Sequence, residues 1–297
     1  VCSSDLYDIE VSYLEGPSAR VISGCQNPGT KLVSWIHVEQ HTMDKLAGSF
    51  RSKKEARACY SKFDQTVCVS QYVHDDFCQL LDFRKPCRVL YNTVESDKIL
   101  AGANEAAPEL ADDGKIRLIA VGTLKQSKGY MRLLKIIRCL RDEQYPVHLY
   151  ILGIGPLQQE MEEYIRQNKL QDTVTLLGYQ TNPYKYVSKC DLFVCASFAE
   201  GFSTAATEAL IVGIPVCTVE VSGMKEMLGE DNEWGVVVEN SEKTLYQGIK
   251  NLLGEAEMLA HYKGKAAERG KMFSTQNTVR AAEKMLLELW GCYSEYH

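Results

Sequence analysis

The feature that most restricts this chain is an alternation. From Lys115 onward, short runs rich in β-branched residues take turns with stretches whose apolar residues recur every three or four positions. That order marks parallel strands joined by crossover helices, because parallel neighbours cannot be linked by a tight turn. The expected strands are Ile116–Gly122, Val147–Gly153, Val174–Gly178, Leu192–Ser197, Pro215–Glu220 and Val236–Glu239. Between them, Tyr130–Glu143 places Met131, Leu134, Ile137 and Leu140 at helical spacing. Pro156–Asn168 does the same with Leu157, Met161 and Ile165, and Pro156 suits a first helical turn. Six strands with helices between them predict a complete doubly wound α/β domain over residues 116–279.

Upstream, the runs Ile9–Leu14, Lys31–His37, Gln65–Ser70 and Arg88–Tyr91 are strand-like, with helical stretches near Phe50–Lys62 and Tyr72–Leu81. Four strands are too few for a nucleotide-binding α/β domain, so residues 7–102 read as the second half of one. Residues 103–115, including the acidic Asn104–Gly114, read as an interdomain linker. Residues 280–297 form a terminal helical segment, with Ala281, Met285 and Leu289 in phase to pack back onto the first domain. Residues 1–6 read as a non-native artefact. On this reading the native chain is cut upstream of Tyr7, and the present chain is expected to be weak or inactive by itself.

Composition removes several functions. At 297 residues, 45% hydrophobic and 24% charged, the chain is ordinary globular material, neither a disordered tail nor a mini-protein. Its longest apolar runs, such as Val147–Leu152, stop far short of the ~20 residues that cross a bilayer. A net charge of −6 argues against wrapping nucleic acid. The 11 cysteines are odd in number and contain no C-x-x-C pair, and Cys68, Cys195 and Cys217 sit in apolar runs where a thiol packs as a small hydrophobe. A reduced, cytoplasmic protein is expected. Phe50–Phe63 carries five Lys/Arg against one Glu, with Phe50, Cys59, Tyr60 and Phe63 available for an apolar side. It reads either as a basic amphipathic helix making peripheral contact with the inner face of a membrane, or as a solvated helix burying its aromatics.

The chemistry concentrates at strand ends. Glu200-Gly-Phe-Ser-Thr-Ala-Ala-Thr-Glu208 follows the strand Leu192–Ser197 and opens a helical run over Thr204–Val212. In an open α/β sheet ligands collect at the carboxyl ends of strands, and a helix N-terminus there suits an anion such as a diphosphate. Ser203 or Thr204 is a natural cap, Gly201 permits close backbone approach, and Glu200 and Glu208 offer carboxylates to the hydroxyls of a vicinal diol. Taken alone, the segment reads more readily as a helix whose acidic first turn merely complements its dipole. A second loop, Thr123–Gly129, follows the strand Ile116–Gly122 and brings Lys128, then Lys125, to the same edge of the sheet.

Two rival patterns are present. Gly153-Ile-Gly155-Pro-Leu-Gln158 half-matches a dinucleotide fingerprint, with Asp172 about 20 residues on but the third Gly missing. An NAD-dependent oxidoreductase is therefore the alternative enzyme, and a non-catalytic nucleotide-sugar-binding fragment the alternative to an enzyme. His37 and His41 stand four apart, a spacing known for zinc, yet no third ligand accompanies them. No metal is expected in the site.

Taken in order, Val121-Gly-Thr-Leu with Lys128-Gly129, Ile151-Leu-Gly-Ile-Gly-Pro156, Leu177-Gly-Tyr179 and Asp191-Leu-Phe-Val194 resemble the retaining glycosyltransferases of the GT-B fold, family 4. The Glu200-x7-Glu208 pair, Gly213-Ile-Pro-Val216 and Glu220-Val-Ser-Gly-Met224 complete the set. The resemblance implies two Rossmann-like domains facing a cleft, the N-terminal one incomplete here. It implies sugar transfer from a nucleotide-diphosphate sugar to a glycan or lipid-linked acceptor with retention of anomeric configuration, in bacterial surface polysaccharide synthesis and with no cofactor. By the same resemblance Glu200 addresses the donor sugar, Glu208 the ribose, and Lys128 the diphosphate together with the amides of Phe202, Ser203 and Thr204. Gly122, Thr123 and Lys125 line the donor site, and Gly178 and Tyr179 lie near the base. His37 stands near the reacting sugar and Asn92 lines the cleft. Relatives often carry Arg where this chain has Thr123, which leaves Lys125 to compensate.

Overall fold

A computed structural model describes residues 7–39, 48–110, 113–200 and 202–291. In chain order the first elements are β1 (Ile9–Ser12), α1 (Pro17–Ile22), β2 (Lys31–Ile36), α2 (Lys53–Tyr60), β3 (Gln65–Cys68), α3 (Gln71–Leu81), β4 (Cys87–Val89) and α4 (Ser96–Ala103). They continue with β5 (Ile116–Val121), α5 (Tyr130–Asp142), β6 (Val147–Leu152), α6 (Gln158–Gln167), β7 (Val174–Gly178), α7 (Tyr184–Val187) and β8 (Leu192–Cys195). The chain then runs through α8 (Thr204–Ile211), β9 (Val216–Val219), α9 (Met224–Leu228), β10 (Val236–Val238), α10 (Glu242–Gly254), α11 (Ala256–Met272) and α12 (Thr275–Trp290).

The chain divides into two compact units. Unit 1 comprises residues up to Thr93 together with those from Gln276, and unit 2 is Val94–Thr275. This division differs from boundaries at 102 and 115 because α4 belongs to unit 2. Its carbonyls at Gly102 and Ala103 accept hydrogen bonds from Asn182 Nδ2 (3.0 Å) and Ser188 Oγ (2.8 Å). Ser96, at its start, bonds Thr275 Oγ1 through both main chain and hydroxyl. The expected linker, residues 103–115, begins at the last residue of this helix.

Unit 1 holds a parallel sheet in the order β1-β2-β3-β4. Helix α12 completes its core, with Met285 buried against Val33 and Val67, and Leu286 and Leu289 beside them. Helices α2 and α3 start cleanly because Ser52 and Ser70 accept hydrogen bonds from Glu55 N and Val73 N. Phe50, Cys59, Tyr60 and Phe63 are buried, and Tyr60 packs edge-on against Phe77. The aromatic side of residues 50–63 therefore lies in the protein core, and only its charges remain for contact with a lipid surface. Among the described residues no helix is long and apolar enough to cross a membrane.

Unit 2 holds a second parallel sheet in the order β10-β9-β8-β5-β6-β7. Strands β6, β8 and β9 are buried throughout, as a sheet covered on both faces requires. The order runs outward from β5 to β7 on one side and from β8 to β10 on the other. Its reversal between β5 and β8 opens a crevice at the carboxyl ends of those two strands.

Candidate functional site

The two strands flanking the reversal deliver the two loops singled out from sequence. After β5 the chain makes a 3-10 turn over Gln126–Lys128 and enters α5 through Gly129, whose φ of +66° is left-handed. A Cβ there would lie 1.8 Å from the Ala196 carbonyl oxygen, so only glycine lets this turn pass so close to the strand-end of β8. Phe198 N donates to Ser127 O (2.7 Å), lacing the two loops together.

Across this junction Lys128 Nζ lies 2.6 and 2.9 Å from the two carboxylate oxygens of Glu200. Ser197 Oγ donates to the same carboxylate at 2.6 Å. The side chains are only 24% and 10% exposed, so this is a mostly buried, hydrogen-bonded ion pair. A small cavity of ≈ 20 Å³, room for about one water, lies beside it and is lined in part by Lys128, Tyr130, Ser197, Glu200 and Ser203. Ser203 proves to be the cap of α8, its hydroxyl accepting from Ala206 N, while Thr204 is the exposed first helical residue. The Phe202 side chain is buried against Phe273, which leaves its main chain as the part available to a ligand. Gly201 lies outside the described residues.

Glu208, one turn into α8, is half-buried and accepts a hydrogen bond from Tyr184 Oη at 3.3 Å. Burial lifts its carboxyl above the ordinary glutamate value, offset in part by the Tyr184 hydroxyl. Burial and the charge of Glu208 in turn push Tyr184 up to about 12. A separate pocket of ≈ 270 Å³ gathers Gly122, Thr123 and Tyr179 with Gly153, Ile154, Gln180 and Pro183 at the ends of β5, β6 and β7. Tyr179 is 70% exposed at its rim. Gly178, with φ of +66°, accepts from Gly153 N through its carbonyl. Lys125 is exposed.

In unit 1, His37 follows β2 and Asn92 follows β4, so both occupy the carboxyl edge of that sheet. The His37 main chain donates to Glu15 Oε2 (3.0 Å) and its ring meets Tyr13 edge-on at 4.8 Å, while its Nε2 is buried without a hydrogen-bond partner. His41 lies outside the described residues.

Arg132 is the residue that motif reading misses. It is 5% exposed and donates to Ala196 O (2.6 Å), Ser197 O (2.7 Å) and Asn240 Oδ1 (2.8 Å), with Phe198 stacked 4.1 Å from its guanidinium carbon. It fixes the main chain that carries Ser197 and Glu200. Its sequence signal is a cation one turn before Ile136, on the buried face of an amphipathic helix. The dinucleotide pattern, in contrast, fails on position. Asp172 precedes β7 and so stands at the opposite edge of the sheet from the Gly153 loop. Gly153 and Gly155 instead pack on main chain, where a Cβ would come within 2.0 Å of Gly122 O and 2.4 Å of Leu124 O.

The family model for glycosyl transferases group 1 matches residues 103–269, a span that contains every unit 2 residue of this site. The chain belongs to that family. Among curated relatives, it is 36% identical over 205 residues to the N-acetylgalactosamine-N,N'-diacetylbacillosaminyl-diphospho-undecaprenol 4-alpha-N-acetylgalactosaminyltransferase of Campylobacter jejuni. That match covers 68% of this chain and 54% of the relative. It is 28% identical to the poly(glycerol-phosphate) alpha-glucosyltransferase of Bacillus subtilis, over 56% of this chain and 25% of that one. The chain covers between a quarter and two thirds of the length of these curated relatives, and 54% of the Campylobacter one. A glycosyltransferase of Rickettsia africae superposes with a TM-score of 0.77 at 17% identity, over 95% of this chain and 76% of that one. Anabaena HepE in complex with UDP superposes at 0.74 and 18% identity, over 87% and 72%. The fold is GT-B, with a Rossmann-like parallel sheet in each unit.

Proposed function

We propose that unit 2 holds a nucleotide-diphosphate sugar and that the whole protein transfers its sugar, with retention of configuration, to a glycan or lipid-linked acceptor at a cytoplasmic membrane face. The observation that carries this reading is the convergence of Lys128, Glu200 and the N-terminus of α8 on the crevice between β5 and β8. Lys128 and the first amides of α8 would face the diphosphate, where negative charge grows as the anomeric bond breaks. Charge fixed in advance by the fold stabilises that leaving group without reorganising, so no divalent ion is called for there. Glu200 would then turn from its ion pair toward the sugar hydroxyls. Glu208 would accept from the ribose diol, which requires its carboxylate form. The ≈ 270 Å³ pocket at Gly122, Thr123 and Tyr179 is the place for the base, with Tyr179 able to stack on it. His37 and Asn92 are the unit 1 candidates for the reacting sugar and acceptor side. UDP in the Anabaena relative and undecaprenol in the Campylobacter relative's name make a uridine donor and a lipid-linked acceptor the first to try.

Calorimetric titration of UDP-, GDP- and ADP-sugars into the chain and into Glu208→Ala tests the assignment. Binding of one nucleotide class that weakens at least tenfold in Glu208→Ala and is unchanged by EDTA is expected. Equal affinity in the variant removes the ribose role from Glu208, and a strict need for a divalent ion removes the role given to Lys128.

A further inference from the structure

Unit 1 brings together four side chains that lie far apart in sequence. Cys68 ends β3 and Cys87 begins β4, while His74 and Cys78 stand four residues apart on α3 and so share one helix face. In the β3–β4 register Cys68 pairs with Val89, two residues after Cys87, so both cysteines project to the same face of the sheet. The ligand atoms of His74, Cys78 and Cys87 all lie within 4.8 Å of one another. Cys78 Sγ is 3.7 Å from His74 Nε2, and Cys68 Sγ is 3.6 Å from Cys87 Sγ.

These separations have a chemical meaning. A tetrahedral zinc ion with Zn–S of about 2.3 Å and Zn–N of about 2.0–2.1 Å holds sulfurs about 3.8 Å apart and sulfur from nitrogen about 3.6 Å apart. The imidazole is also oriented for the task. Asp75 Oδ1 lies 2.8 Å from His74 Nδ1 and takes a second hydrogen bond from Gln71 Nε2 at 2.7 Å. Gln71 Nε2 also lies 3.1 Å from Nδ1; with the ring proton on Nδ1 toward the carboxylate, the Nε2 lone pair faces the sulfurs, the arrangement that supports metal-bound histidines. His74, Cys78 and Cys87 are half-buried, which gives an ion a path in, while Cys68 is fully buried behind Cys87.

We propose that His74, Cys78 and Cys87 form a zinc site that ties the edge strand β4 to α3, with a water as fourth ligand and Cys68 packed behind Cys87. Binding displaces the two thiol protons to solvent and leaves a Cys2His centre of net charge zero, a neutral water completing the tetrahedron. Strand β4 is three residues long, half-exposed and, among the described residues, paired only with β3, so a cross-link to the helix above it is where such a sheet gains most. The zinc takes no part in the sugar transfer proposed above, and its readouts are independent of donor binding.

The test uses the untagged chain, stripped with a chelator under reducing conditions and titrated with zinc or cobalt(II) alone. One zinc per chain retained through desalting, a thiolate-to-cobalt charge-transfer band, and a rise in Tm on adding zinc are expected. Cys87→Ser abolishes retention and the band, whereas replacement of the exposed Cys139 changes neither. Should Cys87→Ser fail to fold, the exposed Asp75→Asn keeps all three protein ligands and weakens zinc 10- to 100-fold by losing the support of His74. No retained metal, retention untouched in both variants, or a Cys68–Cys87 disulfide in the chain as purified overturns the proposal.

Discussion

The two sheets differ in one respect that decides where a ligand can be anchored. In unit 2 the strand order reverses between β5 and β8, so the loops after these strands diverge to opposite faces and leave a crevice. In unit 1 the described strands advance in one direction, β1 to β4, with no reversal. The polar groups at the two carboxyl edges differ accordingly. Those of unit 2 are tied to each other, Lys128 to Glu200, Glu200 to Ser197, and the loop main chain to Arg132. In unit 1, by contrast, the His37 ring nitrogen is buried and unsatisfied. A network complete before the ligand arrives suits tight holding of a charged group, while an open valence suits a group that must engage a reacting partner.

The most severe way to break this comparison is Arg132→Met. The substitution keeps apolar volume but strips hydrogen bonds from two buried carbonyls and Asn240. Losing several charge-assisted bonds of this kind is expected to cost about 3 kcal/mol or more, read as a lowered denaturant midpoint at constant m-value. Donor binding falls with it. A variant as stable as the parent, binding donor equally well, means that the loop carrying Glu200 is placed by something else.

Next in size is Lys128→Met, set beside His37→Ala. If the anion is anchored by unit 2, loss of Lys128 removes a charge-assisted contact worth about 1.5–3 kcal/mol. Affinity for a nucleoside diphosphate then drops roughly 10- to 100-fold. The same titration on His37→Ala stays within about twofold, since no sugar is present for that ring to meet. Equal losses in the two variants erase the division of labour between the sheets.

The parts legible in the sequence are those set by local pattern. The strands of unit 2, a helix cap at Ser203 or Thr204, and Lys128 and Glu200 at strand ends follow from residue spacing and from the rule that ligands gather where parallel strands finish. What depends on register or on distant partners is not legible. Helix α4 reads as the end of the first domain because nothing nearby reveals that Asn182 and Ser188 will bind its carbonyls. Arg132 looks like one more cation of an amphipathic helix until Ala196 and Ser197 are folded against it. Residues 50–63 show a basic stripe and an aromatic stripe, but not that the aromatic one faces Phe77. The thiol and imidazole cluster is hidden for the same reason, since positions 68, 74, 78 and 87 meet only through the pairing of β3 with β4 and the seat of α3.

The smallest expected effect concerns Glu208, whose carboxyl is lifted by burial. A carboxyl with a folded-state value above its unfolded one favours the fold while protonated, and that contribution is lost as pH rises through the folded value. In the absence of donor, Glu208→Gln should therefore melt close to the parent in acid and above it at neutral pH. The gap opens as the pH climbs past the ordinary glutamate range. Donor affinity should move oppositely, because only the ionised carboxylate accepts from both hydroxyls of a ribose. The parent then gains affinity over the same pH interval in which it loses stability, and Glu208→Gln shows neither slope. Parallel melting curves for the two proteins would place Glu208 in a setting no drier than the surface, and would remove the burial that singles it out on α8.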